Sequence, residues 1–171
     1  MSLLVTAALV FGFMLIEAQR AARNERAQLA RGGIEPPGDV YRLMQVAYPG
    51  IFVAMIAEGA WRGARGDDAF AAAGLALFAA AKALKWWAIF SLGPAWTFRV
   101  IVVPGATAVA TGPYRYLRHP NYVAVVGEIV SVALMTSARV TGPLALIVFG
   151  ALLARRITVE NRALDAILRR K

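Results

Sequence analysis

Five apolar stretches of helical length dominate the sequence and restrict what the chain can fold into. They are Leu3–Ala18, Leu43–Trp61, Ala69–Leu92, Tyr122–Ser137 and Val140–Ala154. A helix needs about 20 apolar residues to cross a bilayer, a length that the second and third stretches reach and the others approach. The alternation typical of strands is absent, which leaves helices as the spanning elements. The sequence therefore predicts an all-α integral membrane bundle of about five transmembrane helices in a single domain, 1–171.

The composition agrees with lipid as the solvent. Of the 171 residues 59% are hydrophobic and 17% charged, whereas soluble domains are nearer half apolar and a quarter charged. The net charge of +9 is also typical of nucleic-acid binding. Its cations cluster at the ends of apolar stretches, however, so we expect an anionic membrane surface and no nucleic acid as partner. With no cysteine and one histidine, thiolate and multi-histidine metal sites are excluded, and we expect no metal.

The basic residues also predict an orientation. Five spans place fourteen arginines and lysines on the side that carries the C-terminus and three on the other side. The positive-inside rule then predicts an outside N-terminus and a cytoplasmic C-terminus in a bacterial inner membrane. The first stretch lacks the basic residues that begin a signal peptide, so we interpret it as a retained span.

Five residues interrupt the apolar stretches. Lys82 and Lys85 lie near the cytoplasmic end of the third, where they either anchor the helix at the interface or guide an anionic substrate. Glu58 lies near the end of a stretch and is expected to reach water. Glu128 lies deeper, which indicates either a function or a buried partner. Pro49 either kinks its helix or widens a substrate cleft.

The longest segment between stretches, 93–121, ends in an unusual cluster. Residues 112–122 read GPYRYLRHPNY and contain the single histidine. Loops of this length in a compact protein are usually functional. Pro120 suits the first turn of a helix, so His119 and Asn121 flank a helix start, where backbone N–H groups favour an anion. Alternatively, these arginines and tyrosines decorate a membrane interface, and His119 caps the helix.

The C-terminal segment is expected to form a helix over 155–170. Its apolar residues recur at helical spacing and form one stripe, with the members Leu153, Ile157, Leu164, Ile167 and Leu168. Glu160 and Asn161 lie inside this stripe and need polar partners. Either Glu160 pairs with Arg156 one turn earlier at a solvated surface, or the polar groups point into a pocket beneath the 112–122 cluster.

A segment GPYRxxRHPxY that opens a helical hairpin, followed by R-I-x-V-E at Arg156–Glu160, resembles the isoprenylcysteine carboxyl methyltransferase family. The resemblance covers about Leu92–Leu164. It implies a membrane enzyme that uses S-adenosylmethionine without a Rossmann domain, in agreement with the missing glycine-rich fingerprint. The short form further resembles a bacterial subgroup associated with methylation of long-chain alkylpyrone or alkylresorcinol lipids.

The resemblance also implies roles for individual residues. Glu160, Arg156 and Asn161 are the candidate catalytic residues, with Glu160 near the sulfonium or the nucleophile and Arg156 near an acidic group of the substrate. The implied cofactor-binding residues are Tyr114, Leu117, Arg118, His119, Pro120, Tyr122 and Glu160. The implied substrate-binding residues are Trp96, Arg99 and Asn121.

A lipidic substrate would arrive from the bilayer and the cofactor from the cytosol, so the site is expected at the cytoplasmic membrane boundary. We expect methyl transfer to oxygen, either a carboxylate such as a prenylated one or a phenolic or enolic hydroxyl that Glu160 deprotonates. A phospholipid-type N-methyltransferase, a sterol-reductase-like NADPH enzyme, and a small transporter or assembly protein are the alternatives. The oligomeric state stays open. The methyltransferase hypothesis requires His119 and Glu160 to line one chamber.

Overall fold

The computed structural model describes residues 2–63, 68–107 and 109–168, and within them five α-helices. The helices are α1 Leu3–Ala30, α2 Tyr41–Trp61, α3 Asp68–Leu92, α4 Pro120–Thr136 and α5 Thr141–Leu168. Short 3-10 turns follow α3 at Gly93–Ala95 and precede α4 at Gly112–Arg115. In the described part the strand-like pairing is one isolated bridge between Ile34 and Val102. The predicted all-α architecture is confirmed.

Four of the helices are long and apolar enough to cross a membrane, and α4, with 17 residues, is shorter. Several predicted features fall outside the described part of the chain. They are the side chains of Leu164, Ile167 and Leu168 in the apolar stripe, Arg65 in the loop between α2 and α3, and the basic residues at 169–171.

Two helices extend well beyond their apolar stretches. α1 continues past Ala18 to Ala30, because the intervening residues contain no glycine or proline before Gly32. Its polar extension is held in place by the loop after α3: Asn24 donates to the carbonyl of Trp96 at 2.7 Å and Gln28 to that of Pro94 at 2.7 Å. α5 is likewise continuous, so the fifth apolar stretch and the expected C-terminal helix form one helix.

α3 and α4 pack against each other along most of their length. Gly74 permits this approach, since a Cβ at that position would lie 2.8 Å from the carbonyl oxygen of Ser131. Ser137, with φ of 55°, ends α4 in a left-handed turn, and α5 begins at Thr141. The predicted helical hairpin is therefore confirmed. Its apolar residues join those of α1 and α2 in one core around Phe52, Ile129 and Phe149.

Glu58, which we expected to reach water, is instead 9% exposed. Its carboxylate accepts hydrogen bonds from the backbone N–H of Val140 at 3.1 Å and from the N–H and hydroxyl of Thr141, both at 2.7 Å. These are the free N–H groups at the start of α5, where a negative charge is favourable. Glu58 therefore joins the end of α2 to the beginning of α5.

Lys82 and Lys85 are buried, so the interpretation as interfacial anchors is wrong. Lys82 lies 2.7 Å from Glu17 of α1 and 3.1 Å from Glu128 of α4. Lys85 lies 2.8 Å and 3.2 Å from the same two carboxylates. Tyr48 of α2 donates a hydrogen bond to Glu128. Of the two options for Glu128, the buried partner is confirmed, and the four charges form a neutral cluster that joins α1, α3 and α4.

Replacing Glu128 by Gln would leave the two lysines facing only Glu17. We expect the free energy of unfolding to fall by about 3–5 kcal/mol, because an uncompensated charge stays buried. The measurement is reversible unfolding of the purified protein in detergent. Asp68→Asn, at an exposed position at the start of α3, is the control and should change stability by less than about 1 kcal/mol. Equal stability of Glu128→Gln and the wild type would contradict a stabilising role for the cluster.

Candidate functional site

Two cavities lie side by side at the end of the bundle where α1 ends and α2 and α4 begin. The first, which we call the loop cavity, has a volume of about 410 Å³ and lies between the segment 92–122 and the C-terminal part of α5. The second, the bundle cavity, has a volume of about 380 Å³ and lies between α1, α2, α4 and α5. The two share four lining residues, which we call the partition: Thr97, Asn121, Tyr122 and Arg156.

The loop cavity brings the 112–122 cluster and α5 together. His119 immediately precedes α4, with Pro120 in the first turn as predicted, and its side chain makes no capping hydrogen bond. Instead His119 Nε2 lies 3.1 Å from Asn161 Oδ1, and Nδ1 lies 3.8 Å from Glu160 Oε2. His119 and Glu160 therefore line one chamber, as the methyltransferase hypothesis requires.

Tyr122 links Glu160 to Arg156. Its hydroxyl donates to Glu160 Oε2 at 2.5 Å and accepts from Arg156 Nε at 3.0 Å. The aromatic ring of Tyr122 stacks on the ring of His119, with 5.4 Å between the centroids. The start of α4 thus places both rings against a single turn of α5, which runs from Arg156 to Glu160.

Arg156 does not pair with Glu160, in contrast to the solvated pair considered from the sequence. Its Nη1 donates to Asp39 Oδ1 at 2.9 Å, and its Nη2 donates to the carbonyl oxygen of Phe98. The side chain is buried, so a carboxylate partner is needed there. Asp39 supplies it from the loop between α1 and α2.

The other candidate residues divide by position. Tyr114 and Arg118 line the loop cavity with His119 and Glu160. Burial, together with the nearby charge of Glu160, raises the pKa of the Tyr114 phenol, which is therefore a neutral hydroxyl at physiological pH. Leu117 and Pro120 line neither cavity, and Leu117 is exposed.

Three residues considered for substrate binding lie at or near the partition. Trp96 and Arg99 line the loop cavity, and Asn121 lines both cavities. Trp96 Nε1 lies 3.4 Å from Asn121 Oδ1, so the buried indole orients the amide. Arg99 pairs with Glu35 at 2.8 Å, and this hydrogen bond raises the pKa of its guanidinium.

Sequence reasoning missed two carboxylates that hold the backbone next to the partition. Glu25 Oε1 accepts hydrogen bonds from the backbone N–H of Phe98 at 3.1 Å and of Arg99 at 3.2 Å. Asp39 Oδ2 accepts one from the N–H of Val100 at 3.1 Å. In the sequence, Asp39 is a carboxylate beside a proline–glycine turn and Glu25 is a carboxylate in the polar end of a helix. Neither position indicates which distant residue the carboxylate contacts. The backbone pairing of Ile34 with Val102 ties the same two loops together.

Comparison with known proteins gives a consistent family assignment. The model of the Isoprenylcysteine carboxyl methyltransferase (ICMT) family matches residues 74–166. Uncharacterized protein YpbQ of Bacillus subtilis is 32% identical over 145 residues, which cover 85% of this chain and 86% of that protein. An uncharacterized protein of Haemophilus influenzae is 26% identical over 162 residues, 94% of each chain. No solved structure gives a significant match.

Proposed function

The chain belongs to the isoprenylcysteine carboxyl methyltransferase family, and from this premise we propose that it is an S-adenosylmethionine-dependent methyltransferase with a lipid acceptor. The observation that carries the proposal is the pair of adjoining cavities. The loop cavity has Arg118, His119 and Glu160 among apolar residues of the 92–122 segment. The bundle cavity is lined mainly by apolar and aromatic residues of the helices, with Glu25 and Lys85 among them, and the two cavities meet at Tyr122 and Arg156. Methyl transfer between a polar donor and a lipid requires such an arrangement.

S-adenosylmethionine fits the loop cavity by size and by charge. Small-molecule sites typically have volumes of about 300–1,000 Å³, and this cavity has about 410 Å³. The cofactor carries an ammonium and a sulfonium, which Glu160 complements, and a carboxylate, which Arg118 complements. When bound, the cofactor supplies an electrophilic methyl group.

Arg99, which lines the loop cavity, is fixed by carboxylates from α1 and from the loop between α1 and α2. The Nε of Arg99 is buried and has no hydrogen-bond partner among the described residues. The nearest carboxylate oxygen, on Glu25, is 3.6 Å away. Glu25 and Glu35 together hold the Arg99 guanidinium at the wall of the loop cavity.

The bundle cavity suits an acyl or prenyl chain. Its wall on α1 runs from Glu25 to Met14, a length of about 16 Å at the rise of an α-helix. Ala22 and Gln45 line the cavity and are also exposed, so we place its mouth between α1 and α2, open to the bilayer. Pro49 lines the cavity as well. It cannot donate to the carbonyl of Gln45, which supports the widened cleft considered from the sequence.

The partition is where we place the reacting group of the acceptor. A phenolic or enolic hydroxyl there would transfer its proton to Glu160, the carboxylate that already accepts from Tyr122 at 2.5 Å. Arg156 holds the Tyr122 hydroxyl in place. An acceptor carboxylate would need positioning only. We propose oxygen rather than nitrogen, and alkylpyrones, alkylresorcinols or prenylated carboxylates as acceptors, because the chain resembles the short bacterial forms.

We further propose that the site faces the cytoplasm of a bacterial inner membrane, with the N-terminus outside. The distribution of basic residues supports this orientation. The cofactor would then enter the loop cavity from the cytosol, and the lipid would enter the bundle cavity from the inner leaflet.

The function is tested by supplying the purified protein with methyl-labelled S-adenosylmethionine and bacterial lipid extract. We expect one lipid class to gain the label, identified by mass spectrometry.

His119→Ala should abolish cofactor binding measured by calorimetry while the protein stays monodisperse, because His119 lines the loop cavity and orients Tyr122. Tyr116→Ala, an exposed residue of the same segment, is the matched control. Unchanged affinity of His119→Ala would remove the histidine from the site, and a wild type that neither binds nor transfers would refute the function.

Glu160→Gln should reduce turnover by at least about 100-fold, the usual effect of losing a general base or a principal electrostatic group. The measurement is the initial rate with saturating cofactor and the lipid identified above. Arg155→Gln, at an exposed position of the same helix, should keep a near-normal rate. Near-normal turnover of Glu160→Gln would make this carboxylate structural.

Ala22→Trp should hinder lipid entry without affecting the cofactor. A large ring at the mouth between α1 and α2 is expected to lower kcat/KM for the lipid by about tenfold or more, while the calorimetric affinity for S-adenosylmethionine is unchanged. Leu15→Trp places the same ring on α1 at an exposed position that does not line the cavity and serves as control. If both variants have the wild-type kcat/KM, the lipid enters elsewhere.

A further inference from the structure

Asp39 connects the loop between α1 and α2 to the partition. Its Oδ1 lies 2.9 Å from Arg156 Nη1 and accepts from the backbone N–H of Tyr41 at 3.1 Å. Its Oδ2 accepts from the N–H of Val100 at 3.1 Å. The side chain is 11% exposed, so this carboxylate contacts protein groups on nearly every side. Asp39 precedes the segment 74–166 that the family model matches.

Each nitrogen of the Arg156 guanidinium has a partner of its own. Nε donates to the Tyr122 hydroxyl, Nη1 to Asp39 and Nη2 to the carbonyl of Phe98. Asp39 is the one carboxylate that pairs with Arg156 within the described residues. The orientation in which Nε reaches Tyr122 therefore depends on Asp39.

Removing that carboxylate would change the preferred partner of Arg156. Glu160 follows Arg156 by four residues on α5, the spacing at which an arginine and a glutamate pair on a helix surface. Glu160 instead accepts from Tyr122 at 2.5 Å and lies 3.8 Å from His119. Asp39 thus competes with Glu160 for Arg156, and the Glu160 carboxylate stays available to groups in the loop cavity.

We propose that Asp39 is a positioning residue of the methyl-transfer site, an inference that rests on the proposed function. It holds Arg156 against Tyr122 and thereby keeps the Glu160 carboxylate free to act in the loop cavity. The N-terminal part of the chain, outside the family-matched segment, then contributes to turnover as well as to the fold.

Asp39→Asn separates positioning from simple loop anchoring. An asparagine has a carbonyl oxygen that still accepts from a backbone N–H, but it carries no charge to compete with Glu160 for Arg156. We expect kcat to fall by about tenfold or more, on the scale of coupled neighbouring groups. The dissociation constant for S-adenosylmethionine, measured by calorimetry, should stay within about twofold, and the unfolding temperature should stay close to that of the wild type.

Two further variants complete the experiment. Asp39→Glu keeps the charge and should recover a large part of kcat. Arg31→Gln removes an exposed charge from the same loop and should leave kcat near the wild-type value, because exposed charges contribute little.

The outcomes distinguish this inference from the proposed function. Wild-type kcat in Asp39→Asn, or no recovery in Asp39→Glu, would overturn the positioning role while the enzyme remains a methyltransferase. Equal losses of cofactor affinity, stability and kcat in Asp39→Asn would also overturn it and make Asp39 an anchor of the fold. A wild type that does not bind S-adenosylmethionine would refute the function itself.

Discussion

Charge neutralisation inside an apolar bundle is the constraint on which the rest of this structure depends. An unpaired charge in a low-dielectric interior costs several kcal/mol, so each buried ionic group has to meet a partner from another helix or loop. Glu17 and Glu128 meet Lys82 and Lys85. Such pairings are weak sources of net stability, but they allow one arrangement of the helices and penalise others.

Two further carboxylates link the bundle to the site. Glu58 joins α2 to the start of α5, and the pairing of Asp39 with Arg156 joins the loop after α1 to the same helix fifteen residues later. Lys85 of the neutral cluster and Tyr48, which donates to Glu128 of that cluster, both line the bundle cavity, so the cluster forms part of the wall against which a lipid chain would lie. The same ion pairs therefore influence both how the helices pack and what shape the bundle cavity has.

The sequence permitted prediction of the elements and of one side of the site. Apolar stretches with no strand alternation predicted the helices and the hairpin, and the resemblance to the methyltransferase family implied that His119 and Tyr122 at the start of α4 share a site with Glu160 of α5. The extent of α1 and α5 was not predicted, because hydropathy shows where a helix leaves an apolar environment but not where the helical conformation ends. The lysines were misplaced for a related reason: periodicity shows which face of α3 they occupy, while their partners depend on how α1 and α4 pack against it. Asp39 carries no signal beyond its turn, since proline and glycine identify a reversal of the chain and say nothing about what the reversal contacts.

Because α5 is continuous, it fixes the distances between the residues that it contributes to the two cavities. Phe149 and Leu153 line the bundle cavity, Arg156 stands in the partition, and Glu160 lines the loop cavity. They recur at intervals of three and four residues along one face, and one unbroken helix carries all of them. The separation between the apolar end and the carboxylate is thus fixed at about 16 Å by helical rise alone. A single inserted or deleted residue between them would rotate the far end by about 100°, so sequence drift in this stretch can proceed by substitution but not by change of length.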